Sequence, residues 1–214
     1  MVISNIEYNG DNMNEVLDIF FPIPLYIADT DISPVLINST FDRLVRDSED
    51  LNNHNSNWGG GSYVISSFKD KKDFHLDHAN TEIVKAVYHY IKRFENHIEL
   101  DIANGGLQIA ESWYNISTEG MYQEFHNHSG VGPFCGIFYL SSPVGSGNTV
   151  FRATFPSERP YFRSTNINNM FYRYKKSVVP RSGRLIIFPS WLEHSVNRSN
   201  CSQPRVTLAF NFSH

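Results

Sequence analysis

The sequence has little cysteine and no long apolar run, and both deficits restrict the class of protein. Its 214 residues include two cysteines, Cys135 and Cys201, which are too few for a disulfide framework and are typical of a reducing compartment. No apolar stretch approaches the roughly 20 residues that cross a bilayer. Residues 1–16 also lack the basic segment and apolar core of a signal peptide. We therefore expect a cytoplasmic protein that does not enter a membrane.

Positive charge is also scarce, because 18 Lys and Arg residues face 22 Asp and Glu residues, a net charge of −4. This balance argues against a dedicated nucleic-acid-binding protein. The charge is uneven: residues 1–101 carry 8 basic and 17 acidic side chains, net −9, whereas residues 102–214 carry 10 and 5, net +5. Eight of those basic residues lie between positions 152 and 184. That stretch is either a solvated surface or a region that attracts an anionic ligand.

Aromatic residues are plentiful, and 16 Phe and 11 Tyr suit a fold rich in β-structure. Pro34 after Ser33 predicts the start of a helix over residues 34–50, and regularly spaced apolar residues predict a second helix over residues 80–98. From Leu107 onward, short apolar segments alternate with Gly, Pro, Ser and Asn. This order predicts an antiparallel sandwich or barrel with helical buttresses in a single domain, with residues 1–106 as the buttress and 107–214 as the core.

Two histidines stand out in the segment YQEFHNHSGVGPFCGIFYL, residues 122–140. His126 and His128 are two positions apart, so on a strand their side chains share one face. They are either ordinary polar positions on a half-exposed strand or two ligands of one metal ion that needs a third ligand from elsewhere. Glu124 has the same spacing from His126 and is an alternative ligand if His128 points away.

A third histidine and an arginine follow near the end of the chain. His194 comes just after the apolar strand GRLIIFP, and Arg205 begins the final strand RVTLAFNF. Residues at these places can face a common cavity inside a small β-sandwich. The pair could supply the missing metal ligand and a receptor for a carboxylate.

With these motifs in place, the chain resembles the 2-oxoglutarate- and Fe(II)-dependent oxygenases, and within them a group from phages and marine bacteria. The resemblance follows, in order, FFPIPLY, SNWGGGS, ESWYN, HNHSG, GIFYLSSP, GRLIIFPSWLEHSV and RVTLAFNF. It implies a mainly β fold, the double-stranded β-helix or jelly roll, with iron held at its open mouth. If the chain is viral, its location would be the host cytoplasm.

The resemblance also assigns roles to individual residues. The metal ligands would be His126, His128 and His194, with His128 standing where the wider superfamily usually has a carboxylate. The ion would be Fe(II), although such imidazole sites accept other divalent ions in crystals. Arg205 would bind the distal carboxylate of the cosubstrate 2-oxoglutarate and, with the three histidines, complete the catalytic set.

Tyr139 and Asn115 resemble the family's cosubstrate contacts, and Thr207, two positions after Arg205 and therefore on the same face of the strand, is a further candidate contact. The expected function is an oxygenase, in particular a hydroxylase, that couples C–H oxidation to decarboxylation of 2-oxoglutarate. Alternatives are a cupin-like three-histidine dioxygenase that needs no 2-oxoglutarate and a non-catalytic binding or structural domain. The expected partner is a small molecule or a protein side chain, with an anionic one and a homodimer left open, and nucleic acid and membranes are not expected.

Overall fold

The computed structural model describes residues 23–48, 64–69, 71–100, 105–152 and 175–213. Within these residues, ten strands form two antiparallel sheets. In chain order they are β1 Tyr26–Asp29, β2 Ile65–Ser66, β3 Gln108–Ser117, β4 Gln123–His126, β5 Phe134–Ser141, β6 Thr149–Arg152, β7 Lys175–Val178, β8 Arg184–Pro189, β9 Glu193–Val196 and β10 Arg205–Ser213.

The two predicted helices are present as α1, Pro34–Asp47, and α2, Thr81–His97. Pro34 occupies the first turn of α1, where its missing N–H needs no partner. Helix α2 buries an apolar stripe made of Ile83, Val87, Tyr90, Ile91 and Phe94. Both helices therefore present an apolar face to the same side of the larger sheet, where they share one core cluster.

The larger sheet has the strand order β1-β8-β5-β10-β3-β2, and the smaller one β4-β9-β6-β7. The strand β1 lies at the edge, as Pro22 and Pro24 in the preceding segment predict. A second core cluster, which includes Cys135, Tyr139, Phe151 and Phe188, fills the space between the sheets. This arrangement confirms the predicted jelly roll with helices packed outside one sheet.

Strand β10 contributes side chains both to the core beneath the helices and to the cavity between the sheets. Val206, Leu208, Phe210 and Phe212 point toward the helices and belong to the outer core cluster. The alternate positions, from Arg205 through Thr207 and Ala209, line a cavity between the sheets. Since successive side chains of a strand point to opposite faces, the alternation of apolar and polar residues places the polar ones in the cavity.

His194 lies on a separate strand beyond the apolar strand RLIIFP. The chain turns after β8, where the Leu192 N–H donates to the Pro189 carbonyl at 3.0 Å. The next strand, β9, lies in the other sheet. The segment SNWGGGS and residues 153–174 of the basic stretch lie outside the described residues. Among the described helices, none is long and apolar enough to span a membrane.

Candidate metal centre and cosubstrate pocket

The three histidines singled out in the sequence meet at one end of the cavity. His126 on β4 and His194 on β9 are register partners in the smaller sheet. His128 follows two residues after His126, where its own backbone N–H donates to the Ser190 carbonyl at 2.8 Å. One ring nitrogen from each histidine lies within 4.8 Å of the other two, and no other group of three or more metal-binding side chains occurs in the described residues.

Hydrogen bonds determine which nitrogen of each ring faces this meeting point. The Nδ1 atoms of His126 and His194 contact the backbone carbonyls of Glu124 at 2.8 Å and Leu192 at 3.2 Å. Nδ1 of His128 contacts Oδ1 of Asn211 at 2.7 Å. Since a carbonyl oxygen only accepts, each Nδ1 carries the proton and each Nε2 is unprotonated. The rings are therefore in the tautomer that binds a metal through Nε2.

The environment also keeps all three rings neutral. Burial lowers the pKa of His126, and it lowers the pKa of His128 to about 4. The pKa of His194 lies well below its ordinary value because burial and then the neighbouring charges of His126 and His128 disfavour the cation. Neutral imidazole is the metal-binding form, so these residues fit a divalent ion without first losing protons at pH 7.

Glu124, the alternative ligand, points elsewhere. The register of β4 against β9 shifts between Gln123 and His126, which marks a bulge or irregularity in the pairing. As a result, Gln123 lines the cavity beside His126, whereas the side chain of Glu124 is exposed on the outer face. The expectation that Glu124 shares the face of His126 is therefore wrong, because it assumed an uninterrupted strand.

Arg205 lies in the same cavity as the histidines and carries a buried positive charge. The residue is 2% exposed, its Nη2 donates to the Thr149 hydroxyl at 3.3 Å, and its Nε has no hydrogen-bond partner among the described residues. Burial lowers the pKa of the guanidinium, which reflects the loss of hydration around its charge. Ser117, its register partner on β3, also has a buried hydroxyl without a partner. Orphaned donors beside a buried cation fit a carboxylate ligand.

The other predicted cosubstrate residues line up across three neighbouring strands. Asn115, Thr207 and Tyr139 are register partners on β3, β10 and β5. The Tyr139 hydroxyl lies 2.6 Å from the hydroxyl of Thr149, and the Arg205 guanidinium sits 5.1 Å from the centre of the Tyr139 ring. Asn115 and Thr207 line the cavity that also contains Arg205. Their contacts with 2-oxoglutarate stay predictions.

Sequence reasoning missed Thr149, Ser117 and Asn211. Each is a polar residue on a strand, and each is at most 4% exposed. A buried polar residue on a strand indicates an internal hydrogen-bond partner or a ligand. The alternation that identified Thr207 as a neighbour of Arg205 would also have found Asn211, four positions further on the same face.

Several residues of the basic stretch are engaged in ion pairs. Arg184 Nε lies 2.7 Å from Oδ1 of Asp29, and Arg181 Nη1 lies 3.1 Å from Oδ2 of the same residue. Arg152 pairs with Glu193 at 2.6 Å. These pairs join neighbouring strands at the surface, so the local excess of positive charge is smaller than the sequence suggests.

Comparison with solved structures identifies proteins of the same architecture. A prolyl-4-hydroxylase from Pseudomonas putida aligns over 90% of this chain and 93% of its own, with 12% identity and a TM-score of 0.61. HygX from Streptomyces hygroscopicus, solved with nickel and 2-oxoglutarate, aligns over 89% and 83%, with 15% identity and a TM-score of 0.58. The viral collagen prolyl hydroxylase of Paramecium bursaria chlorella virus-1 aligns over 89% and 96%, with 11% identity and a TM-score of 0.54.

At these identities the structural likeness shows the fold alone. A comparison with curated protein sequences finds no match. Residues 111–211 match the sequence model of a family described as "Putative 2OG-Fe(II) oxygenase". The matched segment begins in β3, ends in β10 and contains all three histidines and Arg205. Through this segment, which spans somewhat less than half of the 214 residues, the chain is similar to the 2-oxoglutarate- and Fe(II)-dependent oxygenases.

Proposed function

We propose that the chain is a hydroxylase that holds Fe(II) through Nε2 of His126, His128 and His194 and 2-oxoglutarate through Arg205. The observation that carries the proposal is the shared cavity: it holds three neutral imidazoles with unprotonated Nε2 atoms at one end, and a buried guanidinium that pairs with no carboxylate of the described residues. A dianionic cosubstrate that chelates the metal and reaches Arg205 would satisfy both ends.

Iron and 2-oxoglutarate together supply the activation of O2, with the cosubstrate decarboxylated to succinate and one oxygen atom transferred to a C–H bond. The chain's part is to bind and orient. Arg205 and the hydroxyl pair of Tyr139 and Thr149 form a polar receptor for the distal carboxylate. Phe188, whose ring centre lies 4.8 Å from that of His194, keeps water from that side of the histidine cluster.

A cupin-like dioxygenase without 2-oxoglutarate is the main competing function, and the three-histidine set suits it. Such an enzyme would use a buried arginine in its metal cavity only if its own substrate carried an anionic group. Burying an unpaired charge costs several kcal/mol as an order of magnitude, roughly as much as a few hydrogen bonds contribute. The orientation of Arg205 into the cavity therefore favours the enzyme that uses a carboxylate cosubstrate.

The remaining features of the proposal are coarser. The solved neighbours include both protein-modifying hydroxylases and a small-molecule enzyme with hygromycin B bound, so we propose a small molecule or a protein side chain as substrate. The net charge of +5 over residues 102–214 supports an anionic substrate. A cytoplasmic location, kinship with phage proteins and a homodimer are also proposals, the first supported by two cysteines that are both free thiols in the structure.

The deciding experiment is a calorimetric titration of 2-oxoglutarate into nickel-loaded protein, in which nickel replaces iron and prevents turnover. We expect 2-oxoglutarate to bind the nickel-loaded protein and not the metal-free protein. Succinate, titrated at the same concentration in place of 2-oxoglutarate, should not bind. In the same titration Arg205→Met should bind 2-oxoglutarate more weakly. Arg198→Met is the matched control for that variant, since Arg198 is an exposed arginine that donates to the Gly120 carbonyl outside the cavity. Nickel binding without any 2-oxoglutarate binding would favour the cupin-like alternative, and no nickel binding would favour a non-catalytic domain.

A further inference from the structure

A chain of hydrogen bonds connects the candidate metal site to the protein surface. Glu111 on β3 and Asn211 on β10 are register partners, and Nδ2 of Asn211 donates to Oε2 of Glu111 at 2.8 Å. Oδ1 of Asn211 contacts Nδ1 of His128 at 2.7 Å. At the outer end, Nζ of Lys72 lies 3.3 Å from Oε1 of Glu111. One buried amide therefore separates a carboxylate from a proposed metal ligand.

The donors and acceptors along this series of hydrogen bonds can be assigned. An ionised carboxylate only accepts hydrogen bonds, so Glu111 requires the NH2 group of Asn211 to face it. The amide oxygen must then face His128, and at 2.7 Å it requires a proton on Nδ1. The other tautomer of His128 would set two acceptors against each other at that distance. Glu111 thus acts on a ring that it does not touch.

Cys135 reinforces the same orientation. Its Sγ lies 3.2 Å from Oδ1 of Asn211, in the geometry of a thiol that donates to the amide oxygen. A reversed amide would turn its NH2 group toward the thiol and its oxygen toward the carboxylate of Glu111. Both ends of Asn211 therefore favour a single orientation.

We propose that Glu111 is a positioning residue that selects the Nδ1–H tautomer of His128 through Asn211 and so frees Nε2 for the metal. The consequence for the metal rests on the proposed function, whereas the tautomer is a property of the metal-free protein. Its significance lies at His128, where a neutral ring stands in place of a carboxylate ligand. A carboxylate needs no tautomer to be chosen for it, but an imidazole does.

The tautomer can be measured directly by long-range 1H–15N correlation NMR of histidine side chains at pH 8 without metal, with His128 assigned through His128→Gln. We expect wild type to show His128 as Nδ1–H. Glu111→Gln should give a mixture, since a glutamine can present either its oxygen or its NH2 group to Asn211. The double variant with Asn211→Asp added should restore Nδ1–H, because the new carboxylate accepts from both neighbours and the net charge is unchanged.

Nickel affinity is the second measurement. Removing a partner that orients a metal ligand typically weakens metal binding about 10- to 100-fold. We expect Asn211→Leu to show a loss of this size in titration calorimetry. Asn80→Leu is the matched control: Asn80 is equally buried at 2%, but its amide donates to the Phe74 carbonyl on the helix side of the larger sheet. It should lower stability and leave nickel affinity unchanged.

The outcomes separate this inference from the proposed function. Wild type with His128 as Nε2–H, or a Glu111→Gln variant equal to wild type in tautomer, would overturn the role of Glu111. If the double variant shows the same mixture of His128 tautomers as Glu111→Gln and binds nickel no more tightly than Glu111→Gln, the role of Glu111 is structural only. If the tautomers behave as expected and wild type binds no nickel, the positioning role stands and the proposed function fails.

Discussion

Replacing Arg205 by methionine is expected to make the empty protein more stable and the protein with cosubstrate less stable. The guanidinium is buried, its hydrogen-bond partner Thr149 is neutral, and its Nε has none. Methionine keeps a long apolar side chain and removes the uncompensated charge. Because an unpaired buried ion is costly, we expect a net gain of about 1 kcal/mol without ligand. For a chain of this size that is a Tm increase of about 2–4 °C.

Adding 2-oxoglutarate should make wild type more stable than the Arg205→Met variant. At a concentration 100 times the dissociation constant, 2-oxoglutarate stabilises the nickel-loaded wild type by about 2.7 kcal/mol. A charge-assisted contact contributes about 1.5–3 kcal/mol, so the variant should bind about 10- to 150-fold more weakly. At the same concentration it would gain only about 0.3–1.4 kcal/mol. The variant therefore melts above wild type without 2-oxoglutarate and below it with 2-oxoglutarate.

Thermal melting of four nickel-loaded samples, each protein with and without 2-oxoglutarate, measures this crossing. Arg198→Met should behave as wild type in its response to 2-oxoglutarate, because its exposed side chain lies outside the cavity. A methionine variant that is less stable than wild type when empty would mean that Arg205 has a structural role. An equal response to 2-oxoglutarate in both proteins would remove Arg205 from the cosubstrate site.

Three further outcomes are expected. In metal-free protein, the pKa of His128 is lowered from 6.5 to about 4, so its stabilising contribution is complete above pH 6.5 and is lost as the pH falls toward 4. At pH 5 this residue alone removes about 2 kcal/mol from the free energy of unfolding, which urea titrations at pH 7 and 5 measure; equal midpoints would contradict it. His194→Ala should abolish nickel binding in calorimetry, since it removes one ligand of three, and affinity within about tenfold of wild type would refute that ligand role. His128→Asp should retain metal binding, because a carboxylate needs no tautomer, and its loss of binding would contradict our reading of the cluster.

The parts of the fold that follow from local periodicity could be predicted from the sequence. Helix α2 and strand β10 are examples, because an apolar stripe and an alternation of apolar and polar residues each determine which face is buried. His126 and His128 were recognisable for the same reason. Their convergence with His194 depended on the resemblance to a family, since nothing local to β4 indicates that β9 is its neighbour.

The errors came from features that depend on register. The irregular pairing of β4 moves Glu124 out of the cavity and Gln123 into it, and no residue in QEFH marks such a shift in advance. The turn after Pro189 sends the chain from one sheet to the other, and no pattern in the sequence predicted β9 as a strand of its own. The pairing of Glu111 with Asn211 joins strands that are 100 positions apart, a distance at which sequence patterns carry no information.

The central position of β10 has a consequence for how the protein is made. This last described strand lies between β5 and β3 in the middle of the larger sheet, and it carries both Arg205 and Asn211. A hydrogen-bond partner of His128 is Asn211, which is 83 positions downstream. Until β10 is synthesised, strands β5 and β3 have no strand between them and the larger sheet is divided into two parts. The proposed cosubstrate receptor at Arg205 and the contact between Asn211 and His128 can therefore form only after synthesis of the chain has passed β10.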